Sequence, residues 1–453
     1  MQMPAALSRL LERHAFSPSV VGRVARNTGW LVGDRVVRAG ANMLLIAWLA
    51  RYLGTAEFGR MNYVLAFVSI FSGVATLGLD VVAIRNLVDR PADAARILGT
   101  SLAMKLGGGL AAYSAMLVAF AIVSPEALGL AALAGLVLVF QSADVVECWF
   151  QSGSRMKYAV YARNAAFFAS ALFKVVLILG HAGLEQLILA GSAEIALAAL
   201  FLFALYRRDA GNPAVWRVDG ALGRAMLKDA MPLLVSAMAI LLYMRIDQVM
   251  VGNLAGYREV GMFSAAVRLT ELWYFVPVAL MTALFPMMVS ARSGEPDPAA
   301  DDRRTALLFG AMGWAGILLA TFTSLASGWL VQLVYGSAFA AAAPVLAVQA
   351  WMAAFVFFGV ARGRWLMARH QQADSMYVDL VAIAINVAMN LLLIPRYGAF
   401  GAALASLCTG FGANLVVALF SEPIRISLKL YARGLALPFS LLRARPAPDF
   451  GKP

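Results

Sequence analysis

The sequence has 453 residues, of which 62% are hydrophobic and only 14% are charged, whereas about 25% of residues are charged in soluble domains. A soluble chain of this size could not bury so much apolar surface, so the composition excludes a soluble enzyme, a disordered scaffold, a secreted disulfide-bonded domain and an ordinary nucleic-acid-binding protein. The net charge of +12 would suit an anionic partner, but the positions of the charges matter more than their sum.

Twelve hydrophobic runs are each long enough to cross a bilayer, which takes about 20 mainly apolar residues. In chain order the predicted spans are residues 30–50, 61–82, 98–123, 127–150, 158–180, 184–206, 230–252, 261–290, 305–333, 342–366, 376–394 and 399–420. The segment before the first run is mixed polar, and no small-residue cleavage site follows that run. The sequence therefore predicts no signal peptide.

Lysine and arginine alternate between the two sides of these spans. With the N-terminus inside, 26 of the 37 Lys and Arg residues fall on predicted cytoplasmic segments, counting Arg362 and Arg364 at the cytoplasmic end of the tenth span, and four fall on the opposite loops. Because cytoplasmic loops carry the excess of positive charge, this pattern predicts that both termini are cytoplasmic. The net positive charge of the chain is therefore explained by its membrane topology, without a nucleic acid as a partner.

A long polar break at 207–229 divides the spans into six and six. It predicts an N-terminal lobe, 30–206, and a C-terminal lobe, 230–420, joined by a cytoplasmic linker. Outside the lobes lie a cytoplasmic N-terminal segment, 1–29, and a basic cytoplasmic tail, 421–453.

The two halves also share a sequence repeat. Residues 53–67 resemble residues 255–269 at one constant offset, which pairs Gly54 with Gly256, Glu57 with Glu259 and Gly59 with Gly261. Six-span repeats run parallel, an architecture of transporters whose site lies between the lobes. The predicted fold is an all-α polytopic membrane protein with two parallel-repeat six-helix lobes. Within the eighth span, a proline at position 277 predicts a kink.

Motifs of catalysis and cofactor binding are nearly absent. The sequence has no P-loop, no HExxH and no paired CxxC motif, and its three histidines are widely separated. We therefore expect no cofactor and no metal site. Both cysteines lie in apolar runs, which gives no disulfide framework. The predicted outer loops are short, which disfavours a membrane-embedded glycosyltransferase or polymerase.

Charged and polar residues inside the spans are the most informative, because a charge at the bilayer centre costs about 2.5–3.5 kcal/mol. Such residues usually face a bundle interior or a watery cavity. The candidate anion-binding residues, drawn from both halves, are Arg35, Arg38, Asn42, Lys174, Arg245, Gln248 and Arg268. The candidate ion-coupling carboxylates are Asp34, Asp247 and Asp379.

Structural roles for some of these residues stay open. Arg268 and Glu271 are three residues apart and could form an intrahelical pair, as could Asp34 and Arg38. Lys105 and Arg163 lie near predicted cytoplasmic span ends and could snorkel to the interface. Asp379 shares one helix face with two asparagines that could act as helix-packing groups, Asn386 and Asn390.

Three stretches resemble a known family: 53–80 followed by Arg85, 243–271 and 386–406. They are similar to bacterial polysaccharide-biosynthesis membrane proteins, the O-antigen and exopolysaccharide repeat-unit flippases of the multidrug/oligosaccharidyl-lipid/polysaccharide exporter superfamily. The resemblance covers roughly residues 25–420. It implies movement of undecaprenyl-pyrophosphate-linked oligosaccharides across the bacterial inner membrane by a transporter, not an enzyme. Polysaccharide polymerase or glycosyltransferase machinery would then be a candidate partner.

The expected mechanism is alternating access along a ladder of cations. Arg35 and Arg38 would receive the pyrophosphate on the cytoplasmic side, and Lys174, Arg245 and Arg268 would hold it in the outer half. Arginine suits this task because its forked donors match phosphate oxygens. The membrane potential or a counter-flow of protons or sodium could supply the energy.

Three other functions remain. A cation antiporter of the multidrug and toxin extrusion branch would favour a cavity dominated by acids and aromatics. A glycosyltransferase or polymerase, and a scaffold that recruits glycan machinery, are the others. Peptidoglycan-precursor flippases of the same superfamily typically have fourteen spans, so a count of twelve disfavours that branch.

Overall fold

The computed structural model describes residues 18–209, 211–290, 298–369 and 371–443. Every regular element within these ranges is a helix. A backbone in lipid must satisfy its own hydrogen bonds, and a helix does so within one segment. The predicted all-α membrane fold is confirmed.

The first half of the chain forms seven α-helices. They are α1 Pro18–Thr76, α2 Leu79–Asp89, α3 Ala94–Val123, α4 Leu128–Phe140, α5 Val145–Ser152, α6 Met156–Leu179 and α7 Leu184–Asp209. Short 3-10 turns begin at prolines before α3 and α4, and another joins α4 to α5.

The second half forms nine α-helices within the described ranges. They are α8 Gly220–Ala255, α9 Tyr257–Glu271, α10 Phe275–Ser290, α11 Pro298–Leu325, α12 Ser327–Tyr335, α13 Ala342–Gln349, α14 Met352–Ala368, α15 Gln372–Phe420 and α16 Glu422–Arg443. The last of these lies in the predicted basic tail, which is therefore helical from Glu422 to Arg443.

Ten stretches of the described chain are long and apolar enough to cross a membrane. Two of them, Gly40–Asp89 and Met376–Phe420, have 50 and 45 residues, about twice what one crossing needs. Each contains a glycine with a non-helical backbone, Gly54 (φ 72°, ψ 177°) and Gly398 (φ 56°, ψ −133°). Dividing both stretches at these glycines gives the twelve spans that the sequence predicts.

The helix is interrupted near Pro277, but not by the mid-helix kink that the sequence predicts. α9 ends at Glu271 and α10 begins at Phe275, so the proline lies in the first turn of a new helix. A proline is tolerated there because the first N–H groups of a helix have no intrahelical acceptor.

The region between the halves is more helical than the sequence predicts. α8 begins at Gly220, ten residues before the predicted span, and Asp219 caps it. The Asp219 carboxylate accepts hydrogen bonds from the N–H groups of Ala221 (2.9 Å) and Leu222 (3.1 Å). Capping explains the earlier start, because the side chain satisfies two of the free donors at the helix end.

Two large clusters of buried apolar residues lie in the described part of the chain. Residues up to Leu49 form one compact unit and those from Ala50 form a second, and both clusters belong to the second unit. One cluster runs from Leu79 to Ala230 and the other from Met281 to Leu430. The first cluster extends beyond the predicted N-terminal lobe, because Met226 and Ala230 at the start of α8 belong to it, and the lobe boundaries stay a prediction.

The two repeat segments meet through their glycines. A Cβ atom on Gly59 would overlap the carbonyl oxygen of Tyr257, and a Cβ atom on Gly261 would overlap that of Thr55. The four residues are equivalent in pairs under the sequence repeat, so the contact is reciprocal, as between copies related by a two-fold axis. Only glycine permits so close a backbone approach.

Candidate functional site

A cavity of about 350 Å³ lies in the C-terminal half, between α8, α9, α13, α14 and α15. Its wall includes four aromatic side chains, Phe263, Phe355, Tyr243 and Tyr274. The charged groups in its wall are three carboxylates and one guanidinium, Asp247, Glu271, Asp379 and Arg362. Such a mixture of apolar walls with a few convergent polar groups is typical of ligand sites.

Asp247 is bound by neutral dipoles from α15. Its carboxylate accepts hydrogen bonds from the amide of Asn390 (2.6 Å) and the hydroxyl of Ser406 (2.9 Å). The same amide nitrogen donates to the side-chain oxygen of Asn386 at 3.0 Å. No basic side chain among the described residues pairs with this carboxylate. Hydrogen bonds therefore stabilise the carboxylate, but no positive charge neutralises it.

The other end of the cavity is built around Arg362 on α14. Its guanidinium donates to the side-chain oxygen of Asn414 and lies 5.3 Å from the centre of the Phe358 ring. It is 5% exposed, and its Nε has no hydrogen-bond partner in the described part of the chain. Asp379 lies within electrostatic range of this charge.

Gln349 completes the polar wall at the end of α13. It is 6% exposed, and its side-chain oxygen has no hydrogen-bond partner among the described residues. Buried polar atoms are nearly always paired, so each one that is not needs a ligand, a water or another explanation. Arg362 and Gln349 thus each contain one buried side-chain atom that has no partner among the described residues, although both residues contribute to the cavity wall.

Three of the predicted site residues come together in this cavity: Asp247, Gln248 and Asp379. Gln248 also donates to the hydroxyl of Ser264 at 3.2 Å. The predicted face of Asp379, Asn386 and Asn390 exists, and its asparagines do pack α15 against α8, as the structural alternative proposed.

The predicted cations of the outer half are each already bound to a protein group. Lys174 pairs with Glu194 at 3.0 Å and Arg245 pairs with Glu271 at 3.2 Å. Arg268 donates from Nη2 to the side-chain oxygen of Asn62 at 2.7 Å. The intrahelical pair of Arg268 with Glu271 was therefore wrong, because Glu271 turns to the preceding helix.

The remaining predicted residues belong to the unit that ends at Leu49. Arg38 is half-buried and Asn42 is exposed on α1. The side chains of Asp34 and Arg35 lie outside the described residues, although the helix backbone there is described.

Lys105 and Arg163 both pair with carboxylates, and for Lys105 the snorkelling alternative is wrong. Lys105 is 1% exposed and forms an ion pair with Asp80. Arg163 pairs with Asp144 at 3.2 Å and with Glu147 at 2.5 Å. The Asp80 carboxylate neutralises Lys105 inside the bundle, which removes its reason to reach the interface, whereas Arg163 stays 37% exposed beside its two carboxylates.

Sequence reasoning missed Arg362 and Gln349. Arg362 was counted among the cytoplasmic charges because it follows an apolar run, whereas the structure buries it in α14. Gln349 was not singled out, although it stands alone among apolar residues in a predicted span. A single polar residue inside a predicted span was the sequence feature that could have identified it, because polar residues in spans are rare and often functional.

Hydrogen bonds join the two halves near their predicted outer ends. The Tyr63 hydroxyl donates to the side-chain oxygen of Asn253 at 2.6 Å, and the Tyr257 hydroxyl donates to the Glu126 carboxylate at 2.6 Å. Together with the glycine contact, these bonds close the space between the halves on that side.

Comparisons with known proteins agree with this architecture. A multidrug resistance MATE family transporter of the MOP superfamily in an inward-facing conformation matches with a TM-score of 0.65 and 14% identity, over 90% of this chain and 96% of that one. The lipid II flippase MurJ in an inward closed conformation matches with a TM-score of 0.65 and 12% identity, over 92% and 93%. An outward-facing conformation of a MATE transporter of this superfamily matches with a TM-score of 0.54 and 14% identity, over 90% and 96%.

The fold is that of a multi-pass transporter of the multidrug/oligosaccharidyl-lipid/polysaccharide exporter superfamily. A family model described as polysaccharide biosynthesis protein matches residues 24–292, more than half of the chain, and a second, MatE, matches residues 232–392. The chain belongs to the polysaccharide biosynthesis protein family. A search of curated protein sequences finds no match.

Proposed function

We propose that this transporter moves undecaprenyl-pyrophosphate-linked oligosaccharide units, destined for O-antigen or exopolysaccharide, across the bacterial inner membrane by alternating access. The observation that carries the proposal is the match of the polysaccharide biosynthesis family model to residues 24–292. Glycosyltransferases would supply the substrate on the cytoplasmic side, and a polymerase would consume it on the other side.

The ion pairs of the outer half suggest how the cation ladder works. Arg245 and Lys174 each form an ion pair with a glutamate. An arriving pyrophosphate would displace that carboxylate, so neither cation would be unpaired in the membrane before the substrate binds. The exchange keeps each cation compensated throughout the cycle, which avoids the large cost of an unpaired charge in a low dielectric. Arg35 and Arg38 would make the first contact from the cytoplasmic side.

Asp247 is the strongest of the three coupling candidates. Its carboxylate is surrounded by amide and hydroxyl groups with no described cation beside it, so a proton or a sodium ion could bind there. Asp379, by contrast, already faces Arg362. Asp34 remains a candidate from the sequence alone.

A cation antiporter is the second candidate function, and one observation favours it. The cavity wall carries three carboxylates and four aromatic rings, the lining expected for an organic cation, which carboxylates and aromatic faces both attract.

Reconstitution into liposomes separates the two functions. The purified full chain should flip an undecaprenyl-pyrophosphate-linked oligosaccharide and should not drive efflux of ethidium, a cationic dye. Efflux of ethidium without flipping would overturn the flippase proposal.

Substitutions at Arg245 test the ladder in the same liposomes. Arg245→Ala should abolish flipping while membrane abundance stays unchanged, and Arg245→Lys should restore part of it because the charge remains and the fork is lost. The double variant Arg245→Ala with Glu271→Gln removes the orphaned carboxylate, so recovery in the double variant would show that Arg245 merely neutralises Glu271. Normal flipping with glutamine at both Arg35 and Arg245 would also refute the ladder.

A further inference from the structure

The helix after the last span, α16, is amphipathic, and it is not one of the ten stretches that are apolar enough to cross a membrane. Its side chains are described from Glu422 to Leu437, and every exposed one among them lies on one face. At about 100° per residue, these positions cover an arc of about 100°. They are Glu422, Arg425, Lys429, Ala432, Arg433 and Ala436. This basic stripe contains three cations, spaced four residues apart, and one anion.

The opposite face of α16 packs against two membrane spans. A Cβ atom on Gly434 would overlap the carbonyl oxygen of Ala306 in α11. The ring of Tyr431 stacks on that of Phe358 in α14, with their centres 4.2 Å apart. The buried residues of this face are Ile424, Ser427, Leu430 and Gly434. Because these contacts fix the rotation of α16 about its axis, the basic stripe points away from the two spans.

α16 lies at the predicted cytoplasmic ends of the spans. The hydroxyl of Ser421, the residue before α16, donates to the carboxylate of Asp374 in the first turn of α15 at 2.6 Å. Further along α16, Gly434 meets Ala306, which is five residues, or about 8 Å, from the start of its span at Asp301. The headgroup layer of a bilayer is about 5–8 Å thick on each side. The helix therefore runs along the membrane surface, at about the depth of the lipid headgroups.

We propose that the basic stripe binds anionic phospholipids of the cytoplasmic leaflet. None of its three cations forms an ion pair with a described carboxylate, and their donors suit the phosphate oxygens of a headgroup. Membrane topology requires positive charge near a span but does not restrict it to one helix face. A cationic face opposite a buried apolar one is typical of helices that lie in the membrane interface. The binding concerns neither the cavity nor the cation ladder, so it is independent of which substrate is transported.

Fluorescence quenching in phosphatidylcholine nanodiscs tests the stripe. The full chain carries a bimane label on Ala432→Cys in a Cys408→Ser background, since Cys148 is buried. The quencher is a nitroxide on the acyl chain close to the headgroup, carried in equal amounts either on phosphatidylglycerol or on phosphatidylcholine. Around the label, phosphatidylglycerol should be enriched at least about fivefold, the gain that one lysine or arginine gives near an anionic surface. The enrichment should vanish at high salt, which screens the charges.

Two triple variants separate the stripe from the overall charge of the chain. The first neutralises the stripe and should abolish the enrichment; it combines Arg425→Gln, Lys429→Gln and Arg433→Gln. The matched control neutralises three exposed cations of other predicted cytoplasmic segments and should keep the enrichment; it combines Arg207→Gln, Arg224→Gln and Lys228→Gln. Both variants lower the net charge equally. The salt dependence of the otherwise unchanged chain measures the stripe even if a triple variant folds poorly.

Three results would overturn the proposal. Equal quenching by the two lipids would show that the stripe does not select anionic headgroups. Quenching by neither lipid would show that the stripe faces water or another protein. An equal loss of enrichment in both triple variants would show that the total charge of this membrane side attracts the lipid, without a site on α16.

Discussion

The two halves of the molecule hold several of their membrane-embedded carboxylates in different ways. In the N-terminal half, Asp80 faces Lys105, and Asp144 and Glu147 share Arg163. In the C-terminal half, Asp247 is bound by amide and hydroxyl groups instead. A built-in cation neutralises a carboxylate permanently, whereas neutral dipoles stabilise it and leave its charge available to a mobile cation. The comparison indicates that the charges of Asp80, Asp144 and Glu147 are structural, whereas Asp247 is free to bind a mobile cation.

The largest effect is expected where the two halves touch. Gly59→Val and Gly261→Val each place side-chain atoms inside a backbone carbonyl of the other half, so each should cost about 3 kcal/mol or more of folding free energy. Size-exclusion profiles of the detergent-extracted protein should show equal loss of folded material for both. Gly107→Val is the control, because a Cβ there meets no other atom within 4 Å. Normal abundance with slower transport would identify these positions as hinges and refute the packing explanation.

An Asp→Asn substitution in each half tests whether a carboxylate paired with a cation matters more for stability than one bound by neutral groups. Asp80→Asn leaves Lys105 buried at 1% exposure without its partner, so the free energy of unfolding should fall by about 3 kcal/mol. Heating with a thiol-reactive dye measures this in a Cys408→Ser background, since Cys408 is exposed whereas buried Cys148 is labelled on unfolding. Lys105→Met should cost less, because Asp80 is 48% exposed and can be hydrated. The double variant should recover stability; a loss equal to the sum of both single losses would mean that the pair is not coupled.

The equivalent substitution in the second half should leave stability nearly unchanged. Asp247→Asn keeps the acceptor for Asn390, and the hydroxyl of Ser406 can turn to accept from the new amide, so the change should stay below about 1 kcal/mol. Flipping in liposomes should lose its dependence on the proton or sodium gradient. A destabilisation as large as that of Asp80→Asn would show that Asp247 is as important for folding as Asp80, and would contradict the proposed difference between the two carboxylates.

The smallest effect is expected at the surface between the halves. Arg96 donates to the Asp219 carboxylate, and this bond holds the pKa of Asp219 below its usual value. A lowered pKa stabilises the folded chain above the unfolded pKa of about 4, and that contribution is lost as the pH falls through the folded pKa. Melting midpoints between pH 3 and 7 should therefore drop less steeply in acid for Asp219→Asn. Asp89→Asn, an exposed control, should follow the unchanged chain; identical curves for all three would exclude the linkage.

The sequence predicts much of the site within single helices, because helical spacing shows which residues of one helix share a face. Asp379, Asn386 and Asn390 share a face by helical spacing alone, and the face exists in α15. Asp247 was identified because a charge inside a span is costly and therefore rare. The partners of these residues were not accessible, because spacing within one helix says nothing about which residue of another helix stands opposite. Glu271 shows this: a pair with Arg268 fits its spacing, yet Glu271 pairs with Arg245.

The sequence by itself determined the number of membrane crossings, because the length of an apolar run and the thickness of a bilayer fix each crossing independently of its neighbours. It also determined the glycine repeat, whose residues are visible without a structure. Only the tertiary structure decided which charges are neutralised and which polar atoms stay unpaired. Arg362 and Gln349 show why: whether a buried side-chain atom finds a partner depends on which groups the neighbouring helices bring to within hydrogen-bonding distance, and that is a property of packing, not of any one segment.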